Sequence, residues 1–144
     1  DPAYASELKE LAKQLGPNQA VHFLGEKSPT ELTALLPKYD FFVLPTQHEN
    51  FGHVFIEAWA AGLPVITSDQ TPWRDLQAKG IGWDIPLSKR ELWIELFESI
   101  IHIQPDELMK LKMQSACFVA NMAQQQPLDA YKRLFEGCTE NPSI

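Results

Sequence analysis

Carboxylates frame a predicted helix start in the middle of the chain. Glu49 lies in the polar loop of residues 46–50, and Glu57 lies one to two turns into the helix that follows. The loop begins where an apolar run, residues 41–44, reaches Pro45, and this run predicts a strand that is buried on both faces. The first N–H groups of a helix lack intrahelical acceptors and lie at the positive end of its dipole. The stretch is therefore suited to a phosphate-bearing ligand.

A simpler interpretation of the same residues is an ordinary surface pair. Helical geometry places Glu57 beside His53, on the flank of the apolar face that carries Phe55 and Trp59. A solvated Glu49 together with a surface His–Glu pair accounts for the spacing as well as a ligand site does. The spacing alone leaves both interpretations open.

Hydrophobic periodicity predicts strands that alternate with helices. Predicted strands lie at residues 21–24, 41–44, 63–67 and 82–85, and predicted helices at residues 4–15, 29–36, 54–61, 72–79, 89–101, 105–123 and 127–135. Gly62 is predicted to cap the helix that carries Glu57. Such alternation predicts a parallel α/β sheet with right-handed crossovers.

Local signals predict where several of these helices begin. Capping boxes are predicted at Ser28–Glu31 and Ser88–Glu91, and a threonine cap followed by proline at Thr71 and Pro72. The helix after Ser88 is predicted to bury one apolar side, which consists of Leu92, Trp93, Leu96, Phe97, Ile100 and Ile101.

Composition limits the class of protein. The 144 residues, at 16.3 kDa, suffice for one domain with a single core. A net charge of −7 argues against a nucleic-acid partner. No apolar run approaches the length of a membrane span and no signal peptide opens the chain, so we expect a cytoplasmic location. Cys117 and Cys138 are expected to be free thiols, and neither has histidine partners at metal-ligand spacing.

Taken as whole strings, these residues resemble a known family. Glu49–Gly52, Glu57–Ala58 and Ala61–Val65 closely resemble the Glu-x7-Glu signature of GT-B glycosyltransferases of the large retaining family 4. Further landmarks of that family's C-terminal donor-binding domain recur in order at Val21–Gly25, Tyr39–Pro45, Gly80–Trp83 and Asp129–Phe135. The amino-acid sequences of Glu49–Val54 and Ser68–Trp73 are similar to those of members from bacterial surface-polysaccharide gene clusters. The resemblance covers almost the whole chain and implies a Rossmann-like parallel sheet with flanking helices.

The resemblance assigns roles to individual residues. Glu57 corresponds to the glutamate that holds the donor ribose, and Glu49 to the catalytic glutamate that holds hydroxyls of the donor sugar. Residues expected to contact the nucleotide sugar, several through backbone N–H groups, are Asn50, Phe51, Gly52, His53 and Val54, with Gly25 near the nucleobase. Two of these assignments have open alternatives. The Phe51 ring could instead plug the core, and His53 could either contact phosphate or only pair with Glu57.

The implied reaction is transfer of a sugar from a nucleotide diphosphate sugar to an acceptor hydroxyl with retention at the anomeric carbon. Catalysis would rest on positioning and on stabilising the leaving diphosphate, with no metal or other cofactor. A glycan or lipid-linked acceptor would bind through an N-terminal domain, and the full-length protein could lie at the inner face of a membrane.

The sequence departs from the family pattern in two respects. It lacks the acceptor-binding domain, and it lacks the first two strands of the donor domain with their Gly-Arg…Lys-Gly phosphate clamp; Lys27 and Arg74 do not match that clamp. We therefore expect this chain alone to be inactive and to self-associate through exposed strand edges. The alternative function is a non-catalytic nucleotide-binding or interaction module, although an intact Glu49/Glu57 pair favours the enzyme. A nucleotide-sugar epimerase on a related fold fits the signature less well.

Overall fold

The computed structural model describes residues 2–16 and 21–125 and confirms the α/β fold. The helices are α1 (Pro2–Lys13), α2 (Pro29–Leu35), α3 (His53–Ala60), α4 (Leu76–Lys79), α5 (Arg90–Ile101) and α6 (Pro105–Gln125), with a 3-10 turn at Leu36–Lys38. The strands are β1 (Phe42–Leu44), β2 (Val65–Ser68) and β3 (Gly82–Ile85). In the described residues, no helix is long and apolar enough to cross a membrane.

The strands form one parallel sheet in the order β1-β2-β3. Val43 lies opposite Ile66, and Ile66 lies opposite Trp83. Because parallel strands end at the same edge of a sheet, the loop after β1 and the loop after β2 meet at that edge. This is the edge at which α3 begins.

Helix α3 packs on one face of the sheet, as its apolar pattern predicts. Phe55, Ala58 and Trp59 are fully buried and share a core cluster with Val65 of β2 and with Leu76. The opposite face is covered by α5, where Leu96 packs with Ile66 and Ile85 in a second cluster. Every residue of β2 is buried, so β2 is the central strand of the core.

The predicted cap at Gly62 is confirmed. Gly62 has a φ of +77°, and its N–H donates to the Trp59 carbonyl at 2.9 Å. The next N–H, of Leu63, donates to the Ala58 carbonyl, also at 2.9 Å. This pair of bonds is a Schellman motif, which ends α3 and directs the chain into β2.

The strand predicted at residues 21–24 is wrong. These residues are irregular, and Val21, Phe23 and Leu24 are about half exposed. A strand forms only when a neighbouring backbone accepts and donates its hydrogen bonds, and no described strand pairs with this segment. Val21 and Phe23 instead line an open groove beside the apolar side of α1.

The expectation that residues 41–44 are buried on both faces is also wrong. Val43 is 41% exposed, and its neighbours in β1 are only half-buried. Within the described residues β1 pairs with β2 alone, which leaves its other edge without a strand. The continuous apolar pattern marks a strand that can be buried, but burial depends on what covers it.

The helix start predicted at residue 105 is confirmed, but of the three starts predicted from capping signals only that at Ser28 is confirmed. At α2 the Ser28 N–H donates to Glu31 at 2.9 Å and the Glu31 N–H donates to the Ser28 hydroxyl at 3.3 Å. The Ser28 hydroxyl also donates to the Glu31 carboxylate at 2.7 Å, and the bonds from the Ser28 backbone and then from its hydroxyl lower the pKa of that carboxyl group.

The capping box at Ser88–Glu91 is wrong. Helix α5 begins one residue later, because the Lys89 N–H bonds back to Pro86 at 3.0 Å, and Lys89 becomes the cap position without a side-chain hydrogen bond. The apolar side of α5 is also less buried than predicted: Leu96 is buried and Trp93 and Ile100 are half-buried, but Leu92, Phe97 and Ile101 are exposed.

The helix start predicted at Thr71 and Pro72 is wrong as well, since α4 begins at Leu76. The Thr71 hydroxyl instead donates to the Trp73 carbonyl at 3.3 Å and accepts from the Trp73 N–H at 3.3 Å. The end before Gly80 is confirmed. The helix predicted at residues 127–135 and Cys138 lie outside the described residues, whereas Cys117 is a free, exposed thiol.

The open edge of β1 is the surface through which we expect the chain to self-associate. We predict that Val43→Lys lowers the apparent mass of the chain in concentrated solution, because a lysine on an edge strand opposes pairing with a second chain. Light scattering after size exclusion measures the change. Ile101→Lys is the matched control, since Ile101 is 74% exposed on α5 and the substitution adds the same charge. A wild-type chain that is monomeric at high concentration would contradict the expectation.

Candidate functional site

The loop between β1 and α3 is held by its own polar side chains. The Thr46 hydroxyl donates to the His48 carbonyl at 2.8 Å, and the His48 N–H lies 3.3 Å from the same hydroxyl oxygen. The His48 ring nitrogen Nε2 lies 3.1 Å from Oδ1 of Asn50. The predicted site residue Asn50 is therefore exposed but tied within the loop.

Helix α3 begins without a side-chain cap. Gly52 occupies the N-cap position with a φ of +73°, and because it has no side chain it supplies no capping hydrogen bond. The Phe55 N–H bonds back to the Gly52 carbonyl at 2.9 Å, so the helix starts tightly. The first turn, which contains His53 and Val54, therefore begins at the strand edge, where a ligand can approach.

Gly52 is required here for two independent reasons. A positive φ is unfavourable for residues with a side chain. A β-carbon at this position would also lie 2.5 Å from Cδ2 of the buried Phe55 ring and 3.2 Å from Cγ of Glu49. Glycine at this position therefore allows the loop backbone to lie close to the Phe55 ring.

The predicted glutamates occupy different environments. Glu49 is half-buried, and its Oε1 accepts a hydrogen bond from the Gly52 N–H at 3.1 Å. Glu57 is exposed on α3, off the buried face, as predicted. The carboxylate of Glu49 is thus fixed against the helix start, whereas Glu57 lies further along the same helix. The pairing of Glu57 with His53 stays a prediction.

The Phe51 ring is not a core plug. It is 43% exposed and packs against the rings of His53 and Trp73, with centroids 4.9 and 5.7 Å away. The buried position is taken by Phe55, which has no exposed surface. The Phe51 ring is therefore available at the surface of the site.

The structure does not pack Gly25 against this loop. Gly25 lies in the irregular segment before α2, with a φ of +66°, and a β-carbon there would meet no atom within 4 Å. Its assignment to the nucleobase stays a prediction, as do the ligand roles of the other site residues.

The end of β2 and the loop after it supply contacts that the sequence did not assign to the site. The Trp73 indole N–H donates to the Phe51 carbonyl at 2.6 Å. The Ser68 hydroxyl donates to the Thr46 carbonyl, and the Thr67 hydroxyl donates to the Leu44 carbonyl at 2.9 Å. The only signal in the sequence was a polar end, Thr67–Ser68, on an otherwise apolar strand.

Asp84 of β3 organises the far side of this second loop. Its carboxylate accepts from the Leu76 N–H at 2.9 Å and the Asp75 N–H at 3.3 Å, which caps α4 from another element. The Arg74 guanidinium lies 3.6 Å from the same carboxylate and also donates to the Asp69 carbonyl. Arg74 is therefore already engaged by the protein. In residues 2–16 and 21–125, no group of three or more His, Cys, Asp or Glu residues is placed to hold a metal ion.

A parallel sheet flanked by helices, with the loops after its strands beside the start of α3, is the arrangement of a Rossmann-like domain. Residues 1–118 match the sequence profile of the family described as "Glycosyl transferases group 1", and the chain belongs to this family.

Curated relatives match over shorter stretches. The chain is 41% identical over 61 residues to D-inositol 3-phosphate glycosyltransferase of Corynebacterium urealyticum, which covers 42% of this chain and 14% of that protein. It is 49% identical over 51 residues to glycogen synthase of Mycobacterium tuberculosis, which covers 35% of this chain and 12% of that protein. The match therefore spans a small part of the length of these relatives.

We predict that Gly52→Ala destabilises the chain by about 2 kcal/mol or more, because the positive φ costs about 1–2 kcal/mol and the contact with Phe55 adds to it. Urea denaturation measures the difference. The matched control is Gly25→Ala, which has a similar φ but no neighbouring atom to displace. Equal losses for the two variants would show that the contact with Phe55 contributes nothing.

Proposed function

We propose that the protein containing this chain transfers a sugar from a nucleotide diphosphate sugar to an acceptor hydroxyl with retention, and that this chain binds the donor. The observation that carries the proposal is the uncapped start of α3 beside the fixed carboxylate of Glu49, at the carboxyl end of β1, in a chain of this family. Backbone N–H groups and a helix dipole favour the diphosphate, and the carboxylate favours sugar hydroxyls.

In this proposal the donor extends along the start of α3. The diphosphate faces the N–H groups of Phe51, His53 and Val54 at the start of α3, whereas the Gly52 N–H is engaged by Glu49. Glu57, exposed further along α3, accepts hydrogen bonds from the ribose hydroxyls, and Glu49 holds the sugar. This order keeps the catalytic contact at the bond that breaks and the nucleotide contact away from it.

Catalysis would then depend on fixed groups and would need no metal ion. A Glu49 carboxylate already bonded to Gly52 has lost rotational freedom before the donor arrives, so less entropy is lost on binding. The N–H groups of α3 would stabilise the charge that builds up on the leaving diphosphate.

The narrower assignment is to retaining family 4, with a cytoplasmic reaction in surface-polysaccharide synthesis. The amino-acid sequences of the signature, Glu49–Val54, and of Ser68–Trp73 support this assignment. The relatives carry names that concern inositol phosphate and glycogen, so they lend no support to a surface-polysaccharide role. A screen of UDP-, GDP- and ADP-sugars by saturation-transfer NMR would identify the donor, and failure of all three to bind the full-length protein would contradict the proposal.

We predict that residues 1–144 alone show no transferase activity and bind a nucleotide sugar with a Kd on the order of millimolar. Arg74 is the one lysine or arginine of the loops at residues 45–52 and 69–75, and it is engaged by Asp84 and Asp69. The diphosphate would therefore meet backbone N–H groups without a charge-assisted side-chain contact. Isothermal calorimetry that gave a micromolar Kd would contradict this prediction.

In the full-length enzyme, Glu57→Gln and Glu49→Gln should fail differently. Removing a ribose contact weakens ground state and transition state together, so Glu57→Gln should raise the donor KM about ten- to hundredfold with a smaller fall in kcat. Glu49→Gln should act mainly on kcat, because the sugar must be oriented at the anomeric carbon. Steady-state kinetics with binding of the nucleoside diphosphate product separates the two effects.

The roles would be wrong if Glu49→Gln abolished binding of the nucleoside diphosphate while Glu57→Gln left KM and kcat unchanged. A non-catalytic module would show a third pattern, in which both variants bind nucleotide less tightly and the wild-type protein transfers no sugar.

A further inference from the structure

Both polar groups of the Phe51–Gly52 peptide are held by side chains. The Phe51 carbonyl accepts from the Trp73 indole N–H at 2.6 Å, and the Gly52 N–H donates to the Glu49 carboxylate at 3.1 Å. One bond holds the carbonyl and the other holds the N–H of the same planar peptide unit. Rotation of this peptide therefore breaks both bonds. This peptide immediately precedes the first turn of α3.

Trp73 is itself fixed by the core. Its ring centroid lies 5.0 Å from Trp59 and 6.3 Å from Phe118 of α6, in edge-to-face geometry. Trp59 is fully buried, and its own indole N–H donates to the Ile81 carbonyl at 2.9 Å. The indole of Trp73 is therefore a rigid donor that links the loop after β2 to the loop after β1.

We propose that Trp73 is a positioning residue of the donor site, which acts through the Phe51–Gly52 peptide on the carboxylate of Glu49; this inference rests on the proposed function. The indole N–H keeps the Phe51 carbonyl turned towards Trp73. The same peptide plane then directs the Gly52 N–H to Glu49 and maintains the left-handed conformation at Gly52.

The consequence for a ligand follows from the free oxygen of Glu49. Oε1 accepts from Gly52, which holds the carboxylate and leaves Oε2 for a hydroxyl of the donor. Without the indole bond, the Phe51 carbonyl can turn to water, the Gly52 N–H leaves Glu49, and the carboxylate swings freely. The loss should weaken donor binding without removing any group that touches the donor.

The test removes the indole N–H and keeps an aromatic ring. Trp73→Phe is compared with Trp93→Phe, which loses a similar indole–carbonyl bond, from Trp93 to Pro86 at 3.2 Å, in the other core cluster. Each variant of the 144-residue chain is measured for thermal stability, for hydrogen exchange at the Gly52 amide, and for its Kd towards UDP-glucose, GDP-mannose and ADP-glucose by NMR titration.

We expect Trp73→Phe to speed exchange at the Gly52 amide about tenfold and to raise the Kd about three- to tenfold, the range of one lost hydrogen bond. Trp93→Phe should lose comparable thermal stability and change neither quantity. If Trp73→Phe does not fold, a benzothiophene analogue of tryptophan at position 73 keeps the ring shape and lacks the N–H donor.

Equal Kd values for wild type and the Trp73 variant would overturn the inference while the proposed function stands, whether or not exchange at Gly52 changes. A wild-type chain that binds none of the three donors would contradict the predicted millimolar binding and overturn the inference, whereas the proposed function would be contradicted only if the full-length protein also bound none of them. A rise in Kd equal to that of Trp93→Phe would reduce Trp73 to a structural role and also overturn the inference.

Discussion

The packing of α3 against the sheet is the constraint on which the site depends. Phe55, Ala58 and Trp59 bury completely against the core that contains β2, and this burial fixes the helix axis relative to the strand edge. Burying two such aromatic side chains contributes several kcal/mol, at roughly 1.5–3 kcal/mol each, more than any single polar contact in the loops. The helix start is thus positioned by its apolar face, and its polar groups remain for other uses.

Two sets of side-chain hydrogen bonds then fix the backbone at the strand edge. Hydroxyl groups of Thr67 and Ser68 reach across to carbonyl groups of β1 and its loop, which ties the ends of two neighbouring strands together. Trp73 adds a third contact, from the loop after β2 to the loop after β1. These contacts use side chains from one element to satisfy backbone groups of another, so the sheet and the second loop add to the bonds that the loop makes within itself.

The parts of the structure that sequence could predict are those with local causes. The apolar face of α3, the Schellman motif at Gly62 and the capping box at Ser28 each depend on residues within a few positions of one another. The strand at residues 21–24 and the burial of β1 depend on neighbouring strands, which no local pattern reveals. The start of α4 could not be predicted locally either, because it is capped by Asp84 of β3 and not by Thr71.

The candidate site likewise has a part that sequence could predict and a part that it could not. The predicted residues from Glu49 to Glu57 do lie together, since they belong to one loop and its helix. The contact between Trp73 and Phe51 spans 22 residues and joins two separate loops, so spacing could not indicate it. The exposure of Phe51 was open for the same reason, because it depends on the packing of Phe55 behind it.

The central claim is that a nucleotide sugar binds at the start of α3. The most direct measurement is a titration of the isotope-labelled chain with UDP-, GDP- and ADP-sugars, followed through its backbone amide NMR signals. We expect the signals of residues 49–54 and of the Trp73 indole to shift together, with one saturation curve. Shifts confined to the cavity between β3 and α5, lined by Trp83, Leu92 and Ser99, would contradict it.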